Sequence, residues 1–120
     1  MVISRSFRTA LVTEILEAHD YDPEQPGPAL GAAAVTGHVP TKLVADVLGV
    51  NVQAVYRWYR GAQPATHKER KMRILTDIIQ HGIRIRLLPV GSTQYAAVQR
   101  ALDRAAESLK EQKRLEDAAA

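Results

Sequence analysis

The chain contains no cysteine in its 120 residues. This absence excludes disulfide bonds and thiolate metal sites, and it fits the reducing cytoplasm, where we expect the protein to reside. No apolar run approaches the roughly 18 residues that a membrane-spanning helix needs, so we expect no membrane partner. The apolar residues of the opening segment are spaced and are interrupted by Glu14 and Glu17, which argues against a secretory signal.

The common signatures of enzymes are also missing. The four histidines are scattered, with no pair four residues apart and no HExxH motif. The GxSxG, P-loop and GxGxxG motifs do not occur. The acidic residues at positions 14 to 22 are interpreted as a solvated helix face and not as a two-metal nuclease centre. We therefore expect no enzyme activity, no metal site and no cofactor.

The net charge of +3 is modest but unevenly distributed. Residues 1–41 contain two basic and five acidic residues, a net charge of −3. Residues 42–90 contain nine basic and three acidic residues, a net charge of +6, and residues 91–120 contain five of each. A basic middle segment favours a polyanionic partner, and the alternative is an ordinary solvated basic face.

The spacing of apolar residues predicts a mainly α-helical protein. The predicted elements are a helix over 4–19, a loop over 20–28, a short alanine-rich helix ended by Gly37, a helix over 42–48 capped by Thr41, a helix from Asn51 to Gly61, and a helix over 68–81 closed by Gly82. We assign residues 1–90 to a helical domain that contains a helix-turn-helix at 41–61.

Two further elements are predicted towards the C-terminus. The alternation in "IRIRLL" predicts a short strand over 83–88, with an extended linker as the alternative. Residues 91–120 contain a long helix whose apolar positions, Tyr95, Val98, Leu102, Ala105 and Leu109, follow a coiled-coil-like spacing. This seam either docks on the domain or pairs with another subunit, as a homodimer or a higher homo-oligomer.

The stretch "LVADVLGVNVQAVYRWYRGAQP" has the spacing of two short helices joined by a tight turn. Ala45 is small where the helices would cross, and Gly49 supplies the positive φ of the turn. Val50 fills the core from the turn. Val55 and Trp58 are predicted to face inward, so Trp58 is interpreted as an aromatic plug of the core.

This register resembles the helix-turn-helix of phage and bacterial DNA-binding proteins, in particular the Cro/Xre-like repressor family, over positions 40–81. The resemblance implies sequence-specific binding of double-stranded DNA by a transcriptional regulator of phage or bacterial type. Similar registers occur in small terminase subunits, so a DNA-packaging or other assembly protein is the alternative. A module that binds protein instead of DNA is a third, weaker hypothesis.

The predicted orientation of the second helix defines candidate DNA contacts. Val52, Gln53, Tyr56 and Arg57 would lie on the face opposite Val55 and Trp58. Gln53 has the groups to pair with adenine and Arg57 those to pair with guanine. Tyr56 would pack on a thymine methyl group or bond a phosphate. Tyr59 is undecided between DNA contact and packing.

Further candidates are expected to hold the phosphate backbone. Asn51 and Thr41 stand at helix N-termini, where amide groups favour anions. The basic candidates are Arg60, Lys68, Arg70 and Lys71. They would set the affinity and its salt dependence, and plain solvation is the alternative for the cluster at 68–73.

Overall fold

The computed structural model describes residues 25–91 and 94–119, and every regular element in those residues is an α-helix. The five helices in this part of the chain are α1 (Pro26–Gly37), α2 (Thr41–Leu48), α3 (Val52–Tyr59), α4 (Thr66–Arg84) and α5 (Tyr95–Ala119). The predicted mainly α-helical class and the long C-terminal helix are confirmed. The helix predicted over 4–19 lies outside the described residues. None of the five helices is both long and apolar enough to cross a lipid bilayer.

Helix α1 begins within the segment predicted as a loop. The prediction of a loop over 20–28 is wrong for its last three residues, which form the first turn of α1. Pro26 occupies the first helical position, where its missing N–H would have no helical acceptor. The helix ends at Gly37, as predicted, and His38 follows in the left-handed conformation at φ 53°. The amides that follow bond back to the last carbonyls of the helix.

The hydrophobic core contains side chains from all five helices. Its largest fully buried members are Leu30, Leu43, Val44, Leu48, Val55, Tyr59, Met72, Ile79 and Val98. Helix α4 packs against α1, α2 and α5, and α3 packs against α1 and α2. The position of α3 therefore depends on its contacts with α1 and α2.

Glycines of α1 allow an unusually close approach to α3. A methyl group added at Gly27 would lie 2.0 Å from the carbonyl oxygen of Trp58. One turn later, a methyl at Gly31 would lie 3.2 Å from the ring of Tyr59. Any side chain larger than hydrogen at Gly27 would therefore separate the two helices.

The turn between α2 and α3 is braced from α4. Gly49 ends α2 in the left-handed conformation at φ 70°, as predicted. The ammonium group of Lys68 donates a hydrogen bond to the carbonyl oxygen of Leu48 at 2.8 Å. Because the C-terminal end of a helix carries partial negative charge, this cation stabilises the end of α2 and fixes the turn.

The strand predicted over 83–88 is wrong, and Gly82 does not close its helix. Helix α4 continues to Arg84, and the amides of Leu87 and Leu88 then fold back onto the carbonyl of Gly82, at 2.9 and 3.2 Å. Gly82 is buried inside the helix, where a methyl group would meet Leu88 at 3.0 Å and Ala105 at 3.2 Å. The glycine therefore serves close packing of neighbouring segments, which its sequence context does not reveal.

The first half of α5 docks on the domain. Val98, Ala101, Leu102 and Ala105 are buried, and α5 packs against α4. The predicted apolar seam thus lies against the same chain over these positions. From position 110 to 119 every residue of α5 is exposed, so this last part of the helix extends beyond the core.

Polar contacts fix α5 at both ends of its docked half. The hydroxyl of Tyr95 donates to a carboxylate oxygen of Asp46 on α2 at 2.5 Å. Nε2 of buried His81 lies 2.9 Å from Oγ of Ser108. Hydrogen bonds from Lys42 and Tyr95 lower the pKa of Asp46, and the same contact with Asp46 raises the pKa of Tyr95. The start of α5 is thereby tied to the first helix of the helix-turn-helix.

Replacing Gly27 with alanine tests the close contact between α1 and α3. The added methyl would clash with a backbone oxygen, which cannot rotate away as a side chain would. We expect the free energy of unfolding to fall by roughly 1–3 kcal/mol, the usual cost of overpacking. Urea denaturation followed by the fluorescence of Trp58, the only tryptophan, measures the change. Gly91→Ala is the matched control, because a methyl there meets no atom within 4 Å. Equal stability of the two variants would contradict the contact.

Replacing Lys68 with methionine tests the brace on the turn. Methionine retains an aliphatic side chain but loses both the hydrogen bond to Leu48 and the charge at the end of α2. We expect the free energy of unfolding to fall by roughly 1–2 kcal/mol. Lys71→Met serves as the control, since Lys71 is exposed three residues later on the same helix and should change stability by less than about 0.5 kcal/mol. Two variants with the same denaturation midpoint would count against the brace.

Candidate nucleic-acid interface

Helices α2 and α3 form a compact helix-turn-helix. Three residues, 49–51, separate the two helices. Asn51 is the N-cap of α3, as predicted, and its side-chain oxygen accepts the amide of Ala54 at 2.8 Å. The cap satisfies one of the free amides at the start of α3 and fixes where the helix begins. Residues 52 and 53 therefore have a defined position at the exposed N-terminal end of α3.

The aromatic plug of the core is Tyr59, and the prediction of Trp58 in this role is wrong. Tyr59 is fully buried, whereas Trp58 is half-buried and packs against the edge of the core. Both positions lie one turn from buried Val55, so the spacing along α3 does not distinguish them. Gly31 of α1 decides the choice, because its missing side chain leaves room for the ring of Tyr59.

The hydroxyl group of Tyr59 is buried without a hydrogen-bond partner in the part of the chain that the structure describes. Its burial, with a smaller contribution from Tyr56, raises the pKa of Tyr59 well above the usual value. The side chain therefore stays neutral at physiological pH, and it acts in the core mainly through its ring.

The exposed face of α3 presents two of the predicted base contacts. Gln53 and Arg57 are both exposed, and their spacing of four residues places them one above the other on the same face. Arg60 is exposed at the C-terminal end of the helix. Val52, predicted on the same face, is half-buried and packs against the core.

Tyr56 lies at the boundary between the exposed face and the core. It is half-buried, and its ring meets that of Tyr59 edge-to-face, with ring centres 6.4 Å apart and planes at 87°. Aromatic pairs favour this geometry. The Tyr56 side chain is therefore held from beneath by Tyr59, and the residue remains partly accessible.

Thr41 does not have the position predicted for it. Pro40 is the N-cap of α2, and Thr41 is the first helical residue, with a relative exposure of 5%. The predicted cap by its hydroxyl is wrong, because proline occupies that position in an extended conformation. Its side chain is not presented on the surface beside α3.

The basic residues at the start of α4 divide into two groups. Arg70 and Lys71 are exposed, whereas Lys68 is half-buried and bonds to Leu48. Arg73 pairs with Glu69 at 3.2 Å. Within residues 25–91 and 94–119, no ion pair involves the exposed cations Arg57, Arg60, Arg70 and Lys71. Among the described residues, α3 and the first turns of α4 thus carry exposed positive charge without ion pairs.

Sequence reasoning missed two contacts that support this surface. It assigned Lys68 to phosphate, although the side chain braces the turn. It also missed the hydrogen bond from Tyr95 to Asp46. These residues are 49 positions apart, so no local sequence pattern indicates the contact. The pairing of Lys42 with Asp46, at 2.8 Å, does have a signal in its spacing of four residues.

No group of three histidine, cysteine or acidic side chains in the described ranges is arranged to hold a metal ion. Comparison with known proteins finds no matching family model, no matching curated protein and no matching solved structure.

Proposed function

We propose that the chain binds double-stranded DNA sequence-specifically, with α3 in the major groove, and acts as a cytoplasmic transcriptional regulator of phage or bacterial type without enzyme activity. The observation that supports this proposal is the exposed pair Gln53 and Arg57 on a short, capped second helix, next to cations that form no ion pair within the described part of the chain. Amide and guanidinium groups at this spacing suit the edges of bases.

The dimensions of α3 fit the proposed complex. An α-helix with its side chains is about 10–12 Å across, and the major groove is about 12 Å wide. Residues four apart on a helix are about 5–6 Å apart, and successive base pairs about 3.4 Å. Gln53 and Arg57 therefore reach bases one or two steps apart, with Gln53 on adenine and Arg57 on guanine.

Affinity would come from contacts with phosphates on both sides of the groove. Arg60, Arg70 and Lys71 are exposed and would supply the charge. Asn51 and the free amides at the start of α3 would hold a further phosphate. Thr41 and Lys68 are not part of this proposal, because one is buried and the other braces the turn.

Selection from a pool of random duplexes, followed by footprinting, tests sequence-specific binding. We expect a preferred sequence bound at least about 10³-fold more tightly than unrelated DNA at physiological salt. A ratio near one would contradict the proposal, and no binding to any duplex at low salt would favour a protein-binding module instead.

Alanine substitutions should separate base readout from phosphate binding. Arg57→Ala should weaken binding to the selected sequence by about 1–3 kcal/mol and relax the preference at one guanine. Lys71→Ala should weaken binding to all sequences and lower the slope of log affinity against log salt by about 1. Both are measured by fluorescence anisotropy over a range of salt concentrations.

Arg84→Ala is the matched control for these variants, because Arg84 is an exposed cation at the C-terminal end of α4, about 20 Å along the helix from Lys71. It should leave the affinity and the salt dependence unchanged. Identical behaviour of Arg57→Ala and Lys71→Ala would contradict the division of roles.

The exposed end of α5 favours a homo-oligomer as the functional unit. Residues 110–119 extend beyond the core, and Leu115 is 57% exposed there. Two copies would place two α3 helices on half-sites about 34 Å apart, as in a dimeric regulator. Mass measured in solution with and without DNA tests this: two copies favour the regulator, eight or more favour a packaging protein, and a single copy in both conditions contradicts oligomerisation.

A further inference from the structure

We propose that Tyr59 is a positioning residue for base readout: its buried ring holds the ring of Tyr56, which then contacts the 5-methyl group of a thymine. This inference rests on the proposed DNA-binding function. It assigns a role in recognition to a side chain that itself never reaches the surface.

The first step is the fixed position of Tyr59. Its ring is fully buried between α3 and the face of α1 that contains Gly27 and Gly31, here called the glycine face. Gly31 lies directly against the ring, since a methyl carbon added at this glycine would be only 3.2 Å from the ring atoms. Well-packed core side chains occupy one rotamer, so Tyr59 provides a rigid support on the inner side of α3.

The second step is the contact between the two rings. The edge-to-face arrangement, 6.4 Å between centres and 87° between planes, restricts the side-chain torsions of Tyr56. The Tyr56 hydroxyl has no intramolecular hydrogen bond in the described part of the chain, so packing against the core, with the Tyr59 ring as its aromatic contact, orients this side chain. A side chain ordered before binding loses less entropy when the complex forms.

The third step is the identity of the DNA group that Tyr56 would contact. Tyr56 lies three residues after Gln53 and one before Arg57, at the flank of the proposed reading face. Tyr56 is half-buried, and its ring carbons are the apolar atoms that it has to offer to the groove. The thymine methyl group is the apolar feature of the major groove, so it is the base group that suits this ring.

The hydroxyl group of Tyr59 is not needed for this role. It has no hydrogen-bond partner in the described residues, so phenylalanine preserves the supporting ring and removes a buried unpaired group. Tyr59→Phe and Tyr59→Leu therefore form a matched pair, since the first keeps the ring and the second removes it.

The test replaces each thymine of the selected duplex in turn with deoxyuridine, which removes a single methyl group. For the wild-type protein we expect one position at which the affinity falls about fourfold, the value of one buried methyl group. Tyr59→Phe should retain this fall. Tyr59→Leu and Tyr56→Ala should reduce it to less than about twofold, while the guanine preference that depends on Arg57 stays within about twofold of wild type.

Three outcomes of the binding experiments would overturn the inference or its basis. A folded Tyr59→Leu protein that still shows the full loss of affinity on methyl removal would disprove the positioning role. A wild-type protein that binds its selected site but responds to no thymine substitution would disprove the methyl contact. A wild-type protein with no preferred sequence would instead disprove the proposed function.

The fluorescence of Trp58 would report whether Tyr59→Leu folds. If it does not fold, an NMR measurement on the free wild-type protein tests the inference instead. Coupling constants measured by NMR give the χ1 angle of Tyr56. A single staggered rotamer supports the inference, and averaging over several rotamers overturns it.

Discussion

Burial of the Tyr59 ring against the glycine face of α1 determines how α3 is presented. Gly27 lets the backbone of α1 approach Trp58 of α3, and Gly31 leaves room for the ring of Tyr59. These contacts fix both the depth of α3 and its rotation about its own axis. Because Tyr59 and Val55 face inward, Gln53 and Arg57 face outward. The exposed chemistry of α3 is therefore a consequence of packing on its opposite side.

The remaining helices support this arrangement through contacts that are distant in the sequence. Lys68 of α4 bonds to Leu48 at the end of α2, and Tyr95 of α5 bonds to Asp46 in the last turn of α2. The two bonds reach the last turn of α2 from different helices, so the end of the first helix of the helix-turn-helix is held from two sides. A helix-turn-helix of 19 residues cannot bury enough surface to fold alone, and here α1, α4 and α5 supply the rest of the core.

Features set by local sequence could be predicted, and features set by distant partners could not. Gly49 and Asn51 end and begin helices through their own backbone and side-chain preferences, so their roles followed from the sequence. Trp58 and Tyr59 are both one turn from Val55, and only the position of Gly31 in α1 distinguishes them.

Gly82 has the sequence context of a helix end, but Leu88 and Ala105 pack where its side chain would be. The alternation that follows it resembles a strand, but it does not match the burial: Ile85 is exposed, and Leu88, which lies in the other phase of the alternation, is the buried residue.

The docking of α5 limits how a second copy could join the proposed complex. The apolar positions Val98, Leu102 and Ala105 are buried within the chain, so they cannot pair with another subunit while α5 stays docked. What remains is the exposed segment 110–119, in which lysine and arginine alternate with acidic residues and Leu115 is the one large apolar side chain. Its charges are balanced, three basic and three acidic, so two such segments attract each other only where opposite charges face. Self-association through this segment would therefore be weak in the absence of DNA, and binding to adjacent half-sites would raise the effective concentration of one copy near the other.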